Sequence, residues 1–516
     1  MFWTDETVEE ILKRNDEKYL VTDYKTPSGK IHVGALRGVM IHDVITRGLK
    51  EKKKDAEFWY GFDDFDAIDG LSDDLKADFE KHMGEPLCNV ASPEPGQNFA
   101  QYFANPFVEV LKSLGVSAKI VWASELYRAG RYNKAIEIAL NNASKIREIY
   151  KEVSGGEKPN DWYPLQVVCP KCGKLGTTKV YDWDGSEVSF ECKEDLVDWA
   201  KGCGYKGKIS PFDGAAKMPY KVETAAKWFS FGTSVELAGK DHYTKGGAFF
   251  VAKAIAEEVF KIKPAYGYGY EWFLVGGKKM STSKGVGVST ESIAELLPTN
   301  LLRFLMVRTK AKRAIEFNPE GDTIPLLYDE YDRCAKDFQG KNETDMARAF
   351  FYTEIDLAKD LPTYYLRFSK VANFLQMPRM DIFAYAAEEK SSDLTEVEKA
   401  EIENRIEVAK KWLANYAPDS VKFEVQETLP EIAKSLSDEQ RTYLNKISDA
   451  ISAQEKWTGE DLHAKIHEIK NEMQIAPKDA FSAIYLSFLG KDSGPQAGWL
   501  LASLDQKFVI DRLKEV

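Results

Sequence analysis

The sequence predicts an α/β protein built on a doubly wound parallel sheet, interrupted by a cysteine-rich insertion and followed by an all-α C-terminal region. Three observations carry this. Residues 16–150 alternate short apolar runs with helix-periodic segments, the βαβ pattern of a parallel sheet covered by helices. Residues 160–210 change texture to Cys, Gly, Lys and aromatics in short segments. Residues 346–516 are helix-periodic almost throughout, as in TEVEKAEIENRIEVAKKWLANYA and GEDLHAKIHEIKNEM.

The elements follow in order. KYLVTDY is a short apolar run, TPSGK a Pro/Gly turn and VGALRGVMIHDVITRGLK a helix. DAEFWYGFDDFD is a second strand ending in acids, and helical stretches follow around residues 98–114 and 131–152. After the cysteine-rich part, VELAGKDHYTKGGAFFVAKAIAEEVF and YGYEWFLVGG resume the strand and helix signals, so the sheet is expected to be completed there. The division expected is the first half of the sheet at 1–160, the insertion at 161–215, the second half at 216–290, connecting helices at 291–345 and a helical domain at 346–516.

Hydrophobic residues make up 44% and charged residues 29% of the 516, a balance that excludes disordered and fibrous classes. The acidic, helix-patterned N-terminus MFWTDETVEEILKR lacks the basic and apolar regions of a signal peptide, and no run of about eighteen apolar residues occurs. A cytoplasmic location is expected, with neither a membrane nor DNA as a partner. The net charge of −12 argues against wholesale phosphate binding but leaves local basic clusters, at Lys50, Lys52, Lys53 and Lys54 and at Arg303, Arg308, Lys310, Lys312 and Arg313. Solvated helix faces are the plainer reading of each.

Three segments carry chemistry. Thr26-Pro27-Ser28-Gly29-Lys30-Ile31-His32-Val33-Gly34-Ala35 lies between a strand and a helix. At the carboxyl end of a first parallel strand, N–H groups of the helix start can hold phosphate, His32 would add a donor, and Gly34 would admit adenine or ribose close to the backbone. Lys279-Met280-Ser281-Thr282-Ser283-Lys284-Gly285 sets two lysines among hydroxyls in a glycine-flanked loop, suited to a lid that stabilises charge on departing pyrophosphate. Gly239-Lys240-Asp241-His242 offers an acceptor for ribose hydroxyls or an amine and a donor beside it, or else a capping Asp with a core histidine. The stretch from Gly202 to Ile209 only imitates a phosphate loop, ending in Ile where a magnesium-binding hydroxyl belongs.

The first two segments together resemble the paired HIGH and KMSKS signatures of class I aminoacyl-tRNA synthetases. PSGKIHVG, DDFD at 63–66, KW at 227–228, GKDH, YEWF, KMSTSKG, DEYDR at 329–333 and the ending GKDSGPQAGWLLASLDQKFVIDRLKE resemble, over essentially the whole chain, the class I lysyl-tRNA synthetases. Thr282 fits that family, which has a small hydroxyl residue where most class I enzymes carry the fourth signature lysine. Ala35 departs from it, standing where the family more often has Asn and removing a polar contact to ATP.

The resemblance implies a Rossmann-type catalytic sheet with an anticodon-binding helical region. It also implies ATP with Mg²⁺, L-lysine and tRNA(Lys) as partners, and transfer of lysine through lysyl-adenylate. By position it implies ATP binding by Pro27, Ser28, His32, Gly34, Gly239, Asp241, His242, Lys279 and Met280. It implies catalysis by His32, Lys279, Ser281, Ser283 and Lys284, and lysine binding by Thr26, Ser28, Asp63, Trp228 and Tyr270. Aromatic faces and a carboxylate suit a desolvated ammonium, and Asp64 and Asp66 compete with Asp63 for that role. In the helical third, Tyr364, Tyr365, Arg367 and Phe368 are candidates to meet anticodon bases, although helix core is the favoured reading. A synthetase for glutamate or arginine would share the signatures, but an acidic amino acid needs a basic pocket. A non-catalytic RNA-binding paralogue and a small-molecule nucleotidyltransferase are the remaining alternatives, the latter leaving the helical third without a role.

Cys169-Pro-Lys-Cys172-Gly is half of a zinc knuckle. Cys192 and Cys203 are separated by ten residues, and Ala200 stands where a second Cys-x-x-Cys would begin, so a four-cysteine site requires a helical excursion between 193 and 201. A structural Zn²⁺ is expected there, reduced metal-free cysteines being the alternative. Cys88 and Cys334 read as half-buried thiols.

Overall fold

In the computed structural model, which describes residues 1–276 and 289–516, four parallel strands organise the N-terminal part. β1 (Lys18–Lys25), β2 (Asp55–Phe62) and β3 (Ala118–Trp122) extend to one side, and β4 (Thr233–Val235) joins β1 on the other, giving the order β3-β2-β1-β4. Lys18 aligns with Asp55 and Lys25 with Phe62, while Phe58 aligns with Ala118. Tyr19, Leu20, Val21 and Thr22 are buried in succession, as expected of a strand covered on both faces.

The sheet resumes after the insertion, but in short pieces. Among the described residues β4 joins β1, Tyr266 bridges Val235 in parallel, and further along Ala238–Gly239 pairs with Gly269–Tyr270 and Phe273–Val275 with Ile315–Phe317, each a short parallel pairing. The break falls at Glu271 and Trp272, where the Glu271 N–H turns away to the carbonyl of Ala311 at 2.9 Å.

α1 (Gly34–Glu51) follows β1 and is buried along most of its length. Gly38 is required there, because a Cβ would meet the Tyr270 hydroxyl and stand 2.8 Å from the Asp23 carboxylate. In the basic cluster around Arg303, Lys310, Lys312 and Arg313 are exposed as a solvated face would be, but Arg303 is not. Arg303 is fully buried, donating to Asp43 at 2.8 Å and to the carbonyls of Leu114 and Thr353 at 2.8 and 2.7 Å, because these groups need a planar multi-donor cation. Cys334 is also buried, whereas Cys88 is half-buried.

The insertion is a three-stranded antiparallel sheet, Thr178–Trp183, Val188–Cys192 and Lys206–Ile209, closed at its base by the pairing of Gln166–Val167 with Ala216–Lys217. No helix forms at 193–201, which is turn and bend instead. Gly202 makes the return, its N–H donating to the Lys193 carbonyl at 3.1 Å, and a Cβ there would strike that same backbone.

The chain divides into two compact units, one of residues 1–317 with 337–356 and one of 318–336 with 357–516. Within the second, Arg405 is fully buried between Asp332, at 2.5 Å, and Glu401, at 2.8 Å. Phe368 is core, stacked on Tyr328 at 4.5 Å, and Arg367 is exposed and paired with Asp329 at 2.6 Å. Capping boxes at Thr395/Glu398 and Ser437/Gln440 start two of its long helices. Among the described residues no helix is long and apolar enough to cross a membrane.

Candidate active site

In a doubly wound sheet the strand order reverses beside the first strand, and a crevice opens at the carboxyl ends there. Here that point lies between β1 and β4. β1 delivers Thr22 to Tyr24 and then the TPSGKIH turn; β4 delivers Glu236 and then Gly239-Lys240-Asp241-His242. A third wall is α2 (Tyr220–Phe231), which carries Glu223, Lys227 and Trp228.

The floor of this crevice is charged. Lys227 donates to Asp63 at 2.7 Å and lies 3.7 Å over the Tyr24 ring; Lys217 reaches Glu223 at 2.7 Å and Asp66 at 2.9 Å; Thr26 donates to Asp66 at 2.7 Å. Burial opposes the charge on Lys227, but Asp63 and Glu223 outweigh it and hold the ammonium protonated. Asp63, singled out from sequence as a partner for a ligand ammonium, is thus occupied by the protein's own Lys227. Asp64 is occupied too, accepting from the N–H and hydroxyl of Ser124 at 2.8 and 2.5 Å. Lys227→Met would strand Asp63 in a buried site, and a loss of about 3–5 kcal/mol of stability is expected in denaturant unfolding.

Two carboxylates that the sequence reading did not single out are left for something else. Asp23 and Glu236 have no lysine or arginine within ion-pair distance among the described residues. Glu236 accepts from Thr22 at 2.7 Å. Asp23 lies 3.6 Å from His42 Nδ1, with only 14% of its side chain exposed. His42 is held neutral, donating Nδ1–H to Gly38 and accepting at Nε2 from the Leu237 N–H at 3.0 Å, and burial pushes it down to about 4. Burial, and then the charge of Glu236, push Asp23 up to about 8. Burial likewise raises Glu236, with Lys227 opposing. The five acids Asp23, Asp63, Asp66, Glu223 and Glu236 face three lysines, Lys25, Lys217 and Lys227, so the crevice demands cationic charge. The only sequence signal for the two was an acid interrupting an apolar run, in KYLVTDY and in VELAGKDH.

Tyr270 brings its hydroxyl beside Asp23 over Gly38, and Trp228 is 2% exposed, packed against Phe249 at 5.8 Å. Among the described residues Trp228 Nε1 has no partner within hydrogen-bond geometry, although it stands close enough to Glu236 to favour the ionised carboxylate.

On the nucleotide side, Pro27 is buried, Ser28 and His32 are half-buried, and Gly34 opens α1 with no side-chain cap on its first N–H groups. Lys279, Met280, Ser281, Ser283 and Lys284 lie outside the described residues. The chain that follows them returns to the first motif, with Ser289 bridging His32 and Thr290 donating to the Ile31 carbonyl at 2.9 Å. Gly239 leads into the single 3₁₀ turn Lys240–Tyr243; Asp241 is exposed, His242 half-buried, and Tyr220 Oη lies 3.3 Å from His242 Nδ1.

The four sulfurs of Cys169, Cys172, Cys192 and Cys203 lie within 4.8 Å of one another, with Cys169–Cys203 at 3.7 Å and Cys172–Cys192 at 3.6 Å. A tetrahedron with metal–sulfur bonds of about 2.3 Å has edges of about 3.8 Å, so this donor set fits a tetrahedral thiolate-bound ion. The Cys203 N–H and the Thr177 hydroxyl lie 3.4 and 3.2 Å from the Cys192 sulfur, where they would help hold a thiolate.

A family model described as "tRNA synthetases class I (K)" matches residues 1–356, and one described as "Anticodon binding domain" matches residues 370–516. The chain is 34% identical to a lysine–tRNA ligase of Methanosarcina barkeri, over 99% of this chain and 97% of that one. It is 34% identical to lysine–tRNA ligase 1 of Methanosarcina acetivorans, over 100% and 98%, and 32% identical to a lysine–tRNA ligase of Thermoplasma acidophilum, over 100% and 99%.

Proposed function

We propose how a chain that belongs to the class I (K) tRNA synthetase family, and so ligates lysine to tRNA, uses this crevice. The observation that carries the reading is the pair Asp23 and Glu236, two half-buried carboxylates with no lysine or arginine in ion-pair distance among the described residues, one for each ammonium group of L-lysine. Lys227 and Lys217 neutralise Asp63, Asp66 and Glu223 and so leave those acids to fix the walls. Tyr270 and Trp228 line the aliphatic stem, and Thr26 and Ser28 stand at the turn where the amino-acid and nucleotide halves meet.

ATP, taken as its magnesium complex, lies over the start of α1, with Pro27, Ser28, His32 and Gly34 along the phosphates and ribose and Gly239, Asp241 and His242 on the opposite side. Lysine's carboxylate oxygen attacks the α-phosphorus as the bond to the bridging oxygen breaks. His32 and the signature residues Lys279, Ser281, Ser283 and Lys284 stabilise the departing pyrophosphate, with Met280 among the ATP-binding residues. The 2′-hydroxyl of the terminal adenosine of tRNA(Lys) then attacks the lysyl carbonyl and AMP leaves. We assign zinc to the cysteine cluster, where it would stiffen the insertion and supply no chemistry to the reaction. The helical unit would read the anticodon, and the reaction would take place in the cytoplasm.

The pH dependence of lysine binding tests this. In the empty crevice Asp23, raised to about 8, carries its proton below that pH, and an ammonium needs the carboxylate ionised. Binding below about pH 8 therefore releases a proton, and lysine affinity should rise at least about tenfold from pH 6 to pH 8 and then level off. Titration calorimetry in buffers of different ionisation enthalpy reads both quantities. A flat profile with no proton release would rule Asp23 out as an ammonium partner.

A further inference from the structure

In the helical unit, α3 (Gly459–Glu472) carries His463 and His467 one turn apart, so both rings leave the same face. Their centres are 4.7 Å apart, and they stand among aromatics: His463 is 5.2 Å from Trp499 and His467 5.1 Å from Phe481. Phe481 belongs to α4 (Pro477–Leu489) and Trp499 to the short α5 (Ala497–Ala502). The first N–H groups of a helix need acceptors, and the residue before α5, Gln496, provides no side-chain cap. His463 supplies an acceptor from across the contact, the Gly498 N–H donating to its Nδ1 at 3.4 Å. The two helices cross so closely there that a Cβ on Gly498 would strike the His463 backbone.

A nitrogen that accepts this bond carries no proton, so the contact holds only while His463 is neutral. Protonation would set one donor against another, and a charge on His467 would repel the new one. Burial, and then the His467 charge, hold His463 below the ordinary histidine range. The surrounding helices offer no relief, since no carboxylate lies within ion-pair distance of either ring among the described residues. On α3 itself Lys465 is paired with Glu468 at 2.8 Å, and Asp461 accepts from Thr458 at 2.8 Å. α4 brings Lys478 and Asp479 in its first turn, α5 brings no charged residue, and the helix Asp438–Ser452 meets α3 through Tyr443, which donates to the Ile466 carbonyl at 3.3 Å. Beyond Trp499, Tyr385, Lys370 and Glu389 bond to one another. The contact therefore contributes fully above about pH 6.5, the ordinary histidine value, and is lost as the pH falls below it. Its loss would stay local. Tyr485 holds the Pro495 carbonyl before α5, and Arg512 holds that of Ser487 at 2.9 Å after it. A cavity of about 240 Å³, lined by Leu462 of α3 and Leu501 and Ala502 of α5 among others, leaves α5 loosely backed.

We propose that His463 is an acid-sensitive latch: neutral, it holds α5 against α3, and protonation of the His463–His467 pair frees residues 497–502 while the rest of the unit stays folded. Hydrogen–deuterium exchange of the full chain, read by mass spectrometry and corrected for the intrinsic effect of pH, tests this. From about pH 7.5 to about pH 5.5, protection at 497–502 should fall at least about threefold, with the helix Asp438–Ser452 unchanged. In His463→Gln the carboxamide oxygen accepts from Gly498 at either pH, so the fall should vanish. No fall in the unaltered protein, or an equal fall in both, would overturn the proposal. A second measurement does not depend on that variant folding. By NMR of the six histidines, isotopically labelled, His463 should titrate below about pH 6.5, and its midpoint should rise in His467→Gln, which removes the like charge. A midpoint at or above about 6.5 that ignores the substitution would also overturn it. Neither readout involves lysine, ATP or RNA, so the latch and the ligase reading stand or fall separately.

Discussion

Asp23→Asn is expected to abolish most lysine activation while leaving the protein folded and its ATP requirement nearly unchanged. The reason lies in the protonation state. Near neutral pH the empty crevice holds Asp23 as the neutral acid, raised to about 8 by burial and by Glu236, so an amide of the same shape should be accepted with little strain. Only when an ammonium arrives does the carboxylate become indispensable. Truncating one member of such a desolvated pair removes about 2–5 kcal/mol, which lowers kcat/KM for lysine by about 30-fold or more. Glu236→Gln should behave likewise, because the amide oxygen can still accept from Thr22. Steady-state exchange assays varying lysine and ATP separately give the split. Equal losses for both substrates would mean that these acids shape the fold rather than the amino-acid site.

Removing the metal proposed for the cysteine cluster should have the second large effect. Structural zinc contributes about 10–16 kcal/mol in small domains, far more than a three-stranded sheet of this size can draw from its own core. After chelation, or in Cys172→Ser, the segment between Val167 and Ala216 should become the preferred site of proteolysis, and about one zinc per chain should be lost. Activity should suffer beyond the insertion itself. Ala216–Lys217 closes the insertion's base, and Lys217 reaches Asp66 and Glu223 in the floor of the crevice. Aminoacylation should therefore fall together with lysine affinity. A chelated protein that resists protease and unfolds at an unchanged temperature would contradict a metal-held insertion.

The parts of this molecule that were legible in its sequence are those where local pattern and chemistry coincide. KYLVTDY followed by TPSGKIHVG announced a buried parallel strand running into a helix start, because continuous apolar residues and a Pro/Gly turn leave few alternatives. The cysteines announced a donor set, although Cys192 and Cys203 are brought into register by a turn at Gly202 and not by a helix, a choice set by backbone clearance that spacing does not encode. The shape of the completed sheet was not legible either, since the pairings after β4 are two and three residues long and carry little pattern.

Within the site, sequence could nominate acids but could not distribute cations among them. DDFD drew notice to Asp63, and the fold gives that residue to Lys227, 164 positions away. Asp23, inside the apolar run KYLVTDY, belongs to no motif that would single it out. Arg303 read as part of a basic patch and is a buried strut. Each of these outcomes depends on which long side chain the tertiary structure brings within 3 Å, information that no local window contains.

Whether the crevice selects L-lysine for adenylation is read by ATP–pyrophosphate exchange with each of the twenty amino acids, with and without tRNA. Strong exchange is expected with lysine alone, lost in Asp23→Asn and Glu236→Gln. Exchange with another amino acid, or none under any condition, would contradict that selection.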